Sequence, residues 1–371
     1  MRLAIISLPL HANYGGVLQS YALKCELERM GHSVTVIDRK VKMPFPKWWK
    51  APFVYLKRAM KQDVEVFREH RFRKELPVVC SELLKFTEKE IAPLLVDSYK
   101  DIRNGDFDGF VVGSDQVWRP RYFGKIEDAF LDFAKGWDVK RVSYAASFGT
   151  GQMEFDSETM RICADLLSYF DGVSVRESDA VQICDEWLDC GSAVQVLDPV
   201  MLMDVKHLEN MASVVNERRS KGKVMTYILD PSENKKAITD MVSRWTGKEI
   251  EDFSVVPYDR NIPLDRRVVP PIQEWIAGFA DADFVVTDSF HGCVLSIMFH
   301  KPFIAVGNGQ RGMSRMSSLL EMFGLDFRLV HGIDPDDDGA FFLSQPDWES
   351  VDTVLEDKRG ISRAFLENVL K

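Results

Sequence analysis

Apolar residues in this chain fall into short solid runs, each followed by a polar or glycine-rich loop and then by a stretch of helical spacing. Residues 3–8 form the first run, Asn13-Tyr14-Gly15-Gly16 the first loop, and residues 17–30 a helical stretch that stops at Gly31-His32 before a second run at 33–38. A solid run of about four to eight apolar residues between turn residues reads as a buried strand, whereas spacings of three and four read as one face of a helix. Strand, loop, helix, strand is a βαβ start, which predicts a mostly parallel sheet with right-handed crossovers. Residues 39–100 interrupt the pattern and read as a long, largely helical insertion. Runs resume at 107–112 and 141–146, a helix follows at 157–168, and another strand at 172–175. These three strands end in Gly113-Ser114-Asp115-Gln116-Val117-Trp118, Ser147-Phe148-Gly149 and Arg176-Glu177-Ser178.

Leu197-Asp198-Pro199 and the polar tract 216–223 mark a change of domain. Beyond it the alternation restarts with a strand at 223–229, a helix from Pro231-Ser232 to about residue 246, a short strand near 252–256, a helix at 272–280 and a strand at 303–306. The tail 347–371 reads as one or two helices. The expected fold is α/β, with two Rossmann-like doubly wound domains facing a cleft. Residues 1–205 form the first domain, with the insertion at about 39–100; residues 206–345 form the second, and the tail 346–371 packs back on the first.

The most suggestive junction is Thr287-Asp288-Ser289-Phe290-His291-Gly292, where an apolar strand gives way to an apolar helix closed by Lys301-Pro302. Carboxyl ends of parallel strands form the crevice in which ligands bind. A helix starting there offers free N–H groups and about half a positive charge to an anion. Asp288 and Ser289 can cap the helix, and Gly292 lets a ligand approach the backbone. His291 adds an imidazole, a group that exchanges protons near neutral pH. A plain capping turn with a satisfied histidine would give the same pattern.

At 371 residues the chain is too long for one core, and 46% hydrophobic with 28% charged residues places it among soluble globular proteins. A net charge of -10 excludes a general nucleic-acid binder, which needs a basic footprint. The six cysteines form no CxxC pair and no metal-ligand spacing, so they read as reduced core thiols of a cytoplasmic enzyme without a metal. Cys293, two positions after His291, falls on the apolar face and reads as core. The first run is short and holds Ser7, which suits a strand and not a signal peptide, and no run approaches the roughly 18 apolar residues of a spanning helix. Against the acidic balance, residues 39–61 carry eight lysines and arginines, no acid and five large aromatics. Two readings of this stretch stay open: peripheral contact with an anionic membrane face or lipid-linked sugar, and a lid over the cleft with solvated lysines.

Taken in order, Asn13-Tyr14-Gly15-Gly16-Val17-Leu18-Gln19, Gly113 to Trp118, Ser143-Tyr144-Ala145-Ala146-Ser147-Phe148-Gly149, Ser174-Val175-Arg176-Glu177 and Thr287 to Gly292 resemble the polysaccharide pyruvyl transferase family, from residue 3 to about residue 330. The resemblance implies a fold similar to B-type glycosyltransferases, with the acceptor on the N-terminal domain and the donor on the C-terminal one. It implies transfer of a pyruvyl group from phosphoenolpyruvate to a sugar of a cell-surface polysaccharide or its lipid- or nucleotide-linked precursor, as a ketal with release of phosphate. No cofactor beyond that donor is implied. The family's donor-site histidine and arginine match His291 and Arg176, while Arg119 stands where relatives often carry asparagine.

Ketal formation needs an acid, a base and anion clamps. His291 is the candidate general acid or phosphate ligand, flanked by Ser289 and Gly292. Asp115 is either the base for an acceptor hydroxyl or an Asx turn. Arg176 offers a planar fork for carboxylate or phosphate, unless a salt bridge occupies it. Arg315 opposes the dipole of the helix it starts, and with Arg311 it is a further candidate anion ligand. Asn13, Tyr14, Gly15 and Gly16 either contact the acceptor or form a tight turn. Two other functions fit the same pattern, a B-type glycosyltransferase using a nucleotide sugar and a non-catalytic glycan-binding relative.

Overall fold

A computed structural model describes residues 1–11, 13–40, 68–255, 257, 259, 261–307, 313–334 and 336–371. Most of the basic aromatic stretch and Arg311 lie outside the described residues. Seven strands, β1 (Arg2–Ile6), β2 (Ser33–Arg39), β3 (Leu94–Val96), β4 (Gly109–Val112), β5 (Lys140–Ala146), β6 (Gly172–Val175) and β7 (Val194–Gln195), form one sheet in the order β3-β2-β1-β4-β5-β6-β7. Five more, β8 (Val224–Tyr227), β9 (Ile250–Asp252), β10 (Phe284–Thr287), β11 (Phe303–Val306) and β12 (Leu329–Val330), form a second in the order β12-β11-β10-β8-β9. Every pairing in both is parallel.

The solid apolar runs explain this choice, because strands covered by helices on both faces cannot alternate apolar with polar. β4, β10 and β11 are buried at every position. The first sheet is doubly wound, with its order reversing between β1 and β4. Counted from its own first strand, the second runs 2-1-3-4-5 and reverses between β8 and β10. Both orders leave a crevice at the carboxyl ends where the winding changes direction.

Periodicity missed several short elements. The insertion is helical at Arg68–Val79 and Ser81–Phe86, but it ends in β3, an edge strand on β2. β3 has three residues and exposes Leu94 and Leu95, so it carries no burial pattern to read. β7, β12 and the helices Ser178–Leu188 and Val205–Ser213 were likewise unanticipated. Of the first two cations of the basic stretch, Arg39 lies half-buried over the rings of Tyr99 and Phe123, and Lys40 is exposed and pairs with Asp97 at 3.2 Å. Among the described residues no helix is long and apolar enough to cross a membrane. All six cysteines are free thiols.

The tail is one helix, Trp348–Val369, capped by Asp347. It lies on the first domain: Arg359 donates to the carbonyls of Met201 and Met203, Arg363 to Glu26 and the Leu202 carbonyl, and Ser362 Oγ accepts from Leu197 N at 3.0 Å. Leu366 is fully buried there. Leu366→Ala is expected to cost about 2–5 kcal/mol, read as a shift in the urea midpoint with unchanged slope.

Candidate functional site

The two reversal points face each other, and a cavity of about 110 Å³, partly open to solvent, lies between them. Leu8 and Asn13 reach it from the β1 end, Asp115 and Gln116 from the β4 end, Leu229 from the β8 end, and Asp288 to His291 from the β10 end. Met313, Arg315 and Met316 close one side from the helix Ser314–Met322, and Tyr122 stands at another.

On the second domain, Thr287 Oγ1 donates to the Tyr227 carbonyl at 2.7 Å and accepts from Ser289 N at 3.1 Å, which fixes the exit from β10. Ser289 caps the helix Phe290–Met298, accepting from Gly292 N. Asp288 does not share in the cap. It accepts from the backbone N–H groups of Leu229 and Asp230 and pairs with buried Lys235 at 2.7 Å, so it ties the β8 loop to the β10 loop. The first helical turn then delivers Phe290 and His291 to the cleft. The Phe290 centroid lies 4.3 Å from the Arg176 guanidinium carbon and 5.7 Å from that of Arg315, so one ring serves two cations at about 0.5–2 kcal/mol each. Burial and the neighbouring Arg176 push the Arg315 guanidinium down to about 10. It remains a cation at neutral pH, but a strained one that an arriving anion would relieve.

On the first domain, backbone strain aims the side chains. The β5–β6 register shifts between Ser143 and Ala146, with Ala145 at φ 51°, and Asp115 sits at φ 74°. Such positive-φ residues cost about 1–3 kcal/mol and cluster at functional sites. Asp115 Oδ1 accepts from Gln116 N at 2.9 Å and stands 3.6 Å from Arg315 Nη1 and 3.7 Å from Arg176 Nη2. The sequence neighbour of Arg176, Glu177, is engaged elsewhere. Its Oε1 accepts from Ser147 Oγ and from the N–H groups of Phe148 and Gly149, holding the Ser147-Phe148-Gly149 loop, and burial pushes its carboxyl up.

The true partner of Arg176 is Asp198, at 2.6 Å. Asp198 Oδ2 also accepts from Ser114 Oγ at 3.2 Å and lies 3.5 Å from His291 Nε2, an ion-pair separation longer than a good hydrogen bond. Burial alone would raise this carboxyl, yet His291 and Arg176 hold it well below the usual carboxylate range. Sequence reading took Asp198 only as a domain marker, because a lone Asp-Pro step carries no chemistry until the fold places it.

Among the predicted residues, His291, Ser289, Arg315, Asn13 and Asp115 line the cavity. Arg176 lies behind Asp115. Tyr14 turns away from the cleft: its hydroxyl donates to the Pro270 carbonyl at 2.6 Å and its ring stacks on Trp275 at 4.9 Å, so it packs one domain on the other. A Cβ on Gly15 would fall 2.0 Å from His291 Nδ1, so Gly15 is there for close domain approach. A Cβ on Gly16 would lie 3.5 Å from Asp115 Oδ2, an ordinary contact, so this position does not require glycine for space. Gly292 serves packing, since its Cβ would meet Thr287 Oγ1 at 2.3 Å. Arg119 is internal, paired with Glu154 and donating to Gln116 Oε1. Among the described residues no three His, Cys, Asp or Glu side chains group as a metal site.

Two doubly wound domains with a polar cavity where their reversal points meet define an α/β protein with its site in the cleft between two Rossmann-like sheets. The chain belongs to the polysaccharide pyruvyl transferase family, whose sequence pattern matches residues 13–310, and it is a transferase by that membership. Among solved structures it is similar to a sucrose-phosphate synthase from Thermosynechococcus elongatus, at 13% identity and a TM-score of 0.44 over 100% of this chain and 96% of that one. It is also similar to UDP-GlcNAc 2-epimerases from Neisseria meningitidis (8% identity, TM-score 0.48, 100% and 99% covered) and Methanocaldococcus jannaschii (12%, 0.48, 96% and 99%). No match was found among curated proteins.

The depressed Asp198 carboxyl makes a prediction of definite sign. A carboxyl whose folded value lies below its unfolded value of about 3.9 contributes stability above that pH, and the contribution is lost as pH falls through the window below it. The stability of the wild-type protein should therefore fall more steeply than that of Asp198→Asn as the pH drops from about 4 to about 2, in urea titrations at matched salt.

Proposed function

We propose that the cavity binds phosphoenolpyruvate and that the protein transfers its pyruvyl group to a sugar of a polysaccharide or its precursor in the cytoplasm. The observation that carries this reading is a set of buried donors that have carboxylates nearby but no hydrogen bond filled. Arg176 Nε and Nη2 and His291 Nε2 have no hydrogen-bond partner among the described residues. Leaving such a donor unpaired costs about 1–3 kcal/mol, more when charged, and the oxygens of an anion remove that cost. Phosphoenolpyruvate presents a phosphate and a carboxylate, which suits a site with two guanidiniums and an imidazole. Asn13, capping the helix Tyr14–Arg29, adds that helix's N-terminus.

In the reaction the donor methylene carbon gains a proton, one acceptor hydroxyl oxygen bonds to the carbon bearing phosphate, and a second hydroxyl oxygen replaces the phosphate. Of the two hydroxyl protons released, one balances the proton delivered to carbon and the other leaves with phosphate. His291 lies at the cavity wall as the acid or as a phosphate ligand. Arg315 neutralises the leaving phosphate, and Arg176 adds charge from behind Asp115. Asp115, turned into the cavity by its strained backbone, accepts the hydroxyl proton.

Phosphate release from phosphoenolpyruvate, measured against lipid- and nucleotide-linked sugars, tests the proposal. His291→Ala and Arg315→Ala should each weaken phosphoenolpyruvate binding at least about tenfold by calorimetry, or about 1.4 kcal/mol. Turnover of a nucleotide sugar with no response to phosphoenolpyruvate would replace this reading by that of a glycosyltransferase. Binding of glycan with no turnover of either donor would mark a non-catalytic relative.

A further inference from the structure

One oxygen atom joins the two halves of the site. Asp198 follows β7 at the start of the turn Pro199–Leu202, and its Oδ1 accepts from Val200 N at 3.0 Å, which fixes the carboxylate plane. Its side chain has 0% exposure. Oδ2 receives Arg176 Nη1 and Ser114 Oγ from the first domain and faces His291 Nε2 from the second. The imidazole has little freedom elsewhere. The Gly15 backbone backs its Nδ1 edge so closely that a methyl group would not fit, and the Phe290 ring stands edge-on at 5.2 Å. The ring is thus held between a backbone on one domain's first loop and a carboxylate on the same domain, although it belongs to the other.

We infer that Asp198 is a positioning residue for the transfer, holding the His291 imidazole in place at the cavity wall and supplying its counter-charge from the other domain. The same Oδ2 accepts from Arg176 Nη1, a bond that an amide oxygen can keep. A carboxylate in this place attracts an imidazolium far more than a neutral amide does, and the low-dielectric surroundings strengthen that difference. Asparagine at 198 keeps the shape and an oxygen for Arg176 while removing the charge.

The kinetic part rests on the pyruvyl-transfer reading, so the test has an arm that does not. In the full-length protein labelled with ¹⁵N-histidine, the His291 ring-nitrogen signals are assigned by their loss in His291→Gln. Asp198→Asn should displace those signals and leave the other histidines in place, while Asp198→Glu, which keeps the charge at a different reach, should displace them less. Should the asparagine variant not fold, as judged by its melting curve, the glutamate variant carries the same arm: any displacement confined to His291 supports the assignment. In phosphate release from phosphoenolpyruvate, Asp198→Asn should lower kcat about 10²-fold with KM for phosphoenolpyruvate changed less than about threefold. In the His291→Gln background the same change should cost less than about threefold more, because a group that acts through His291 has nothing left to orient. Unmoved His291 signals in a folded variant, or losses that simply multiply in the double variant, would overturn the assignment. A wild-type protein that releases no phosphate overturns the pyruvyl-transfer reading alone, and the spectroscopic arm still decides the role of Asp198.

Discussion

A carboxylate with no exposed surface is tolerable only where cations and donors meet it, because taking an unpaired ion out of water costs several kcal/mol. Asp198 meets that condition with groups from both domains, Arg176 and Ser114 from its own and His291 from the other. Much else in the cleft follows from it. Arg176 is pinned at one nitrogen, which leaves the rest of its fork beside Phe290 and Asp115. The histidine is drawn against the first domain, and only glycine at position 15 permits the approach. The stacking of Tyr14 on Trp275 adds apolar contact at the same seam, in a core that runs through both domains.

The cleft also shows how strain and packing divide the work of building a polar site. Positive backbone angles at Asp115 and Ala145 are unfavourable, and the flanking parallel strands over-determine them. What results is a carboxylate between two guanidiniums that would otherwise repel each other, with an aromatic ring serving both. The arrangement holds opposite charges close together in a region with little water, where electrostatic interactions are strong and reorganise little.

The strand ends were legible because solid apolar runs and polar loops alternate so clearly, and the helix boundaries at Ser232, Ile272 and Asp347 follow from capping residues and spacing. The Thr287 to Gly292 junction was legible for the same reason. Asp198, Phe290 and Lys235 as members of the site were not, since each depends on a partner more than 50 positions away: Asp198 on His291, Phe290 on Arg176, and Lys235 on Asp288. The packing contacts of Tyr14 and Gly292 were not legible, because a residue in a motif loop can face either the cleft or the packing behind it, and one-dimensional pattern does not say which. β3 escaped because an exposed three-residue edge strand has no period to detect.

The helix Trp348–Val369 has a consequence for how the protein comes into being. It follows the whole second domain in the chain, yet its buried Leu366 and its arginine contacts complete the first. During synthesis the first sheet therefore emerges early and waits, with an apolar face uncovered, until the second domain has passed and this helix arrives. The first domain is therefore not one contiguous stretch of sequence, and the chain crosses between the two domains twice.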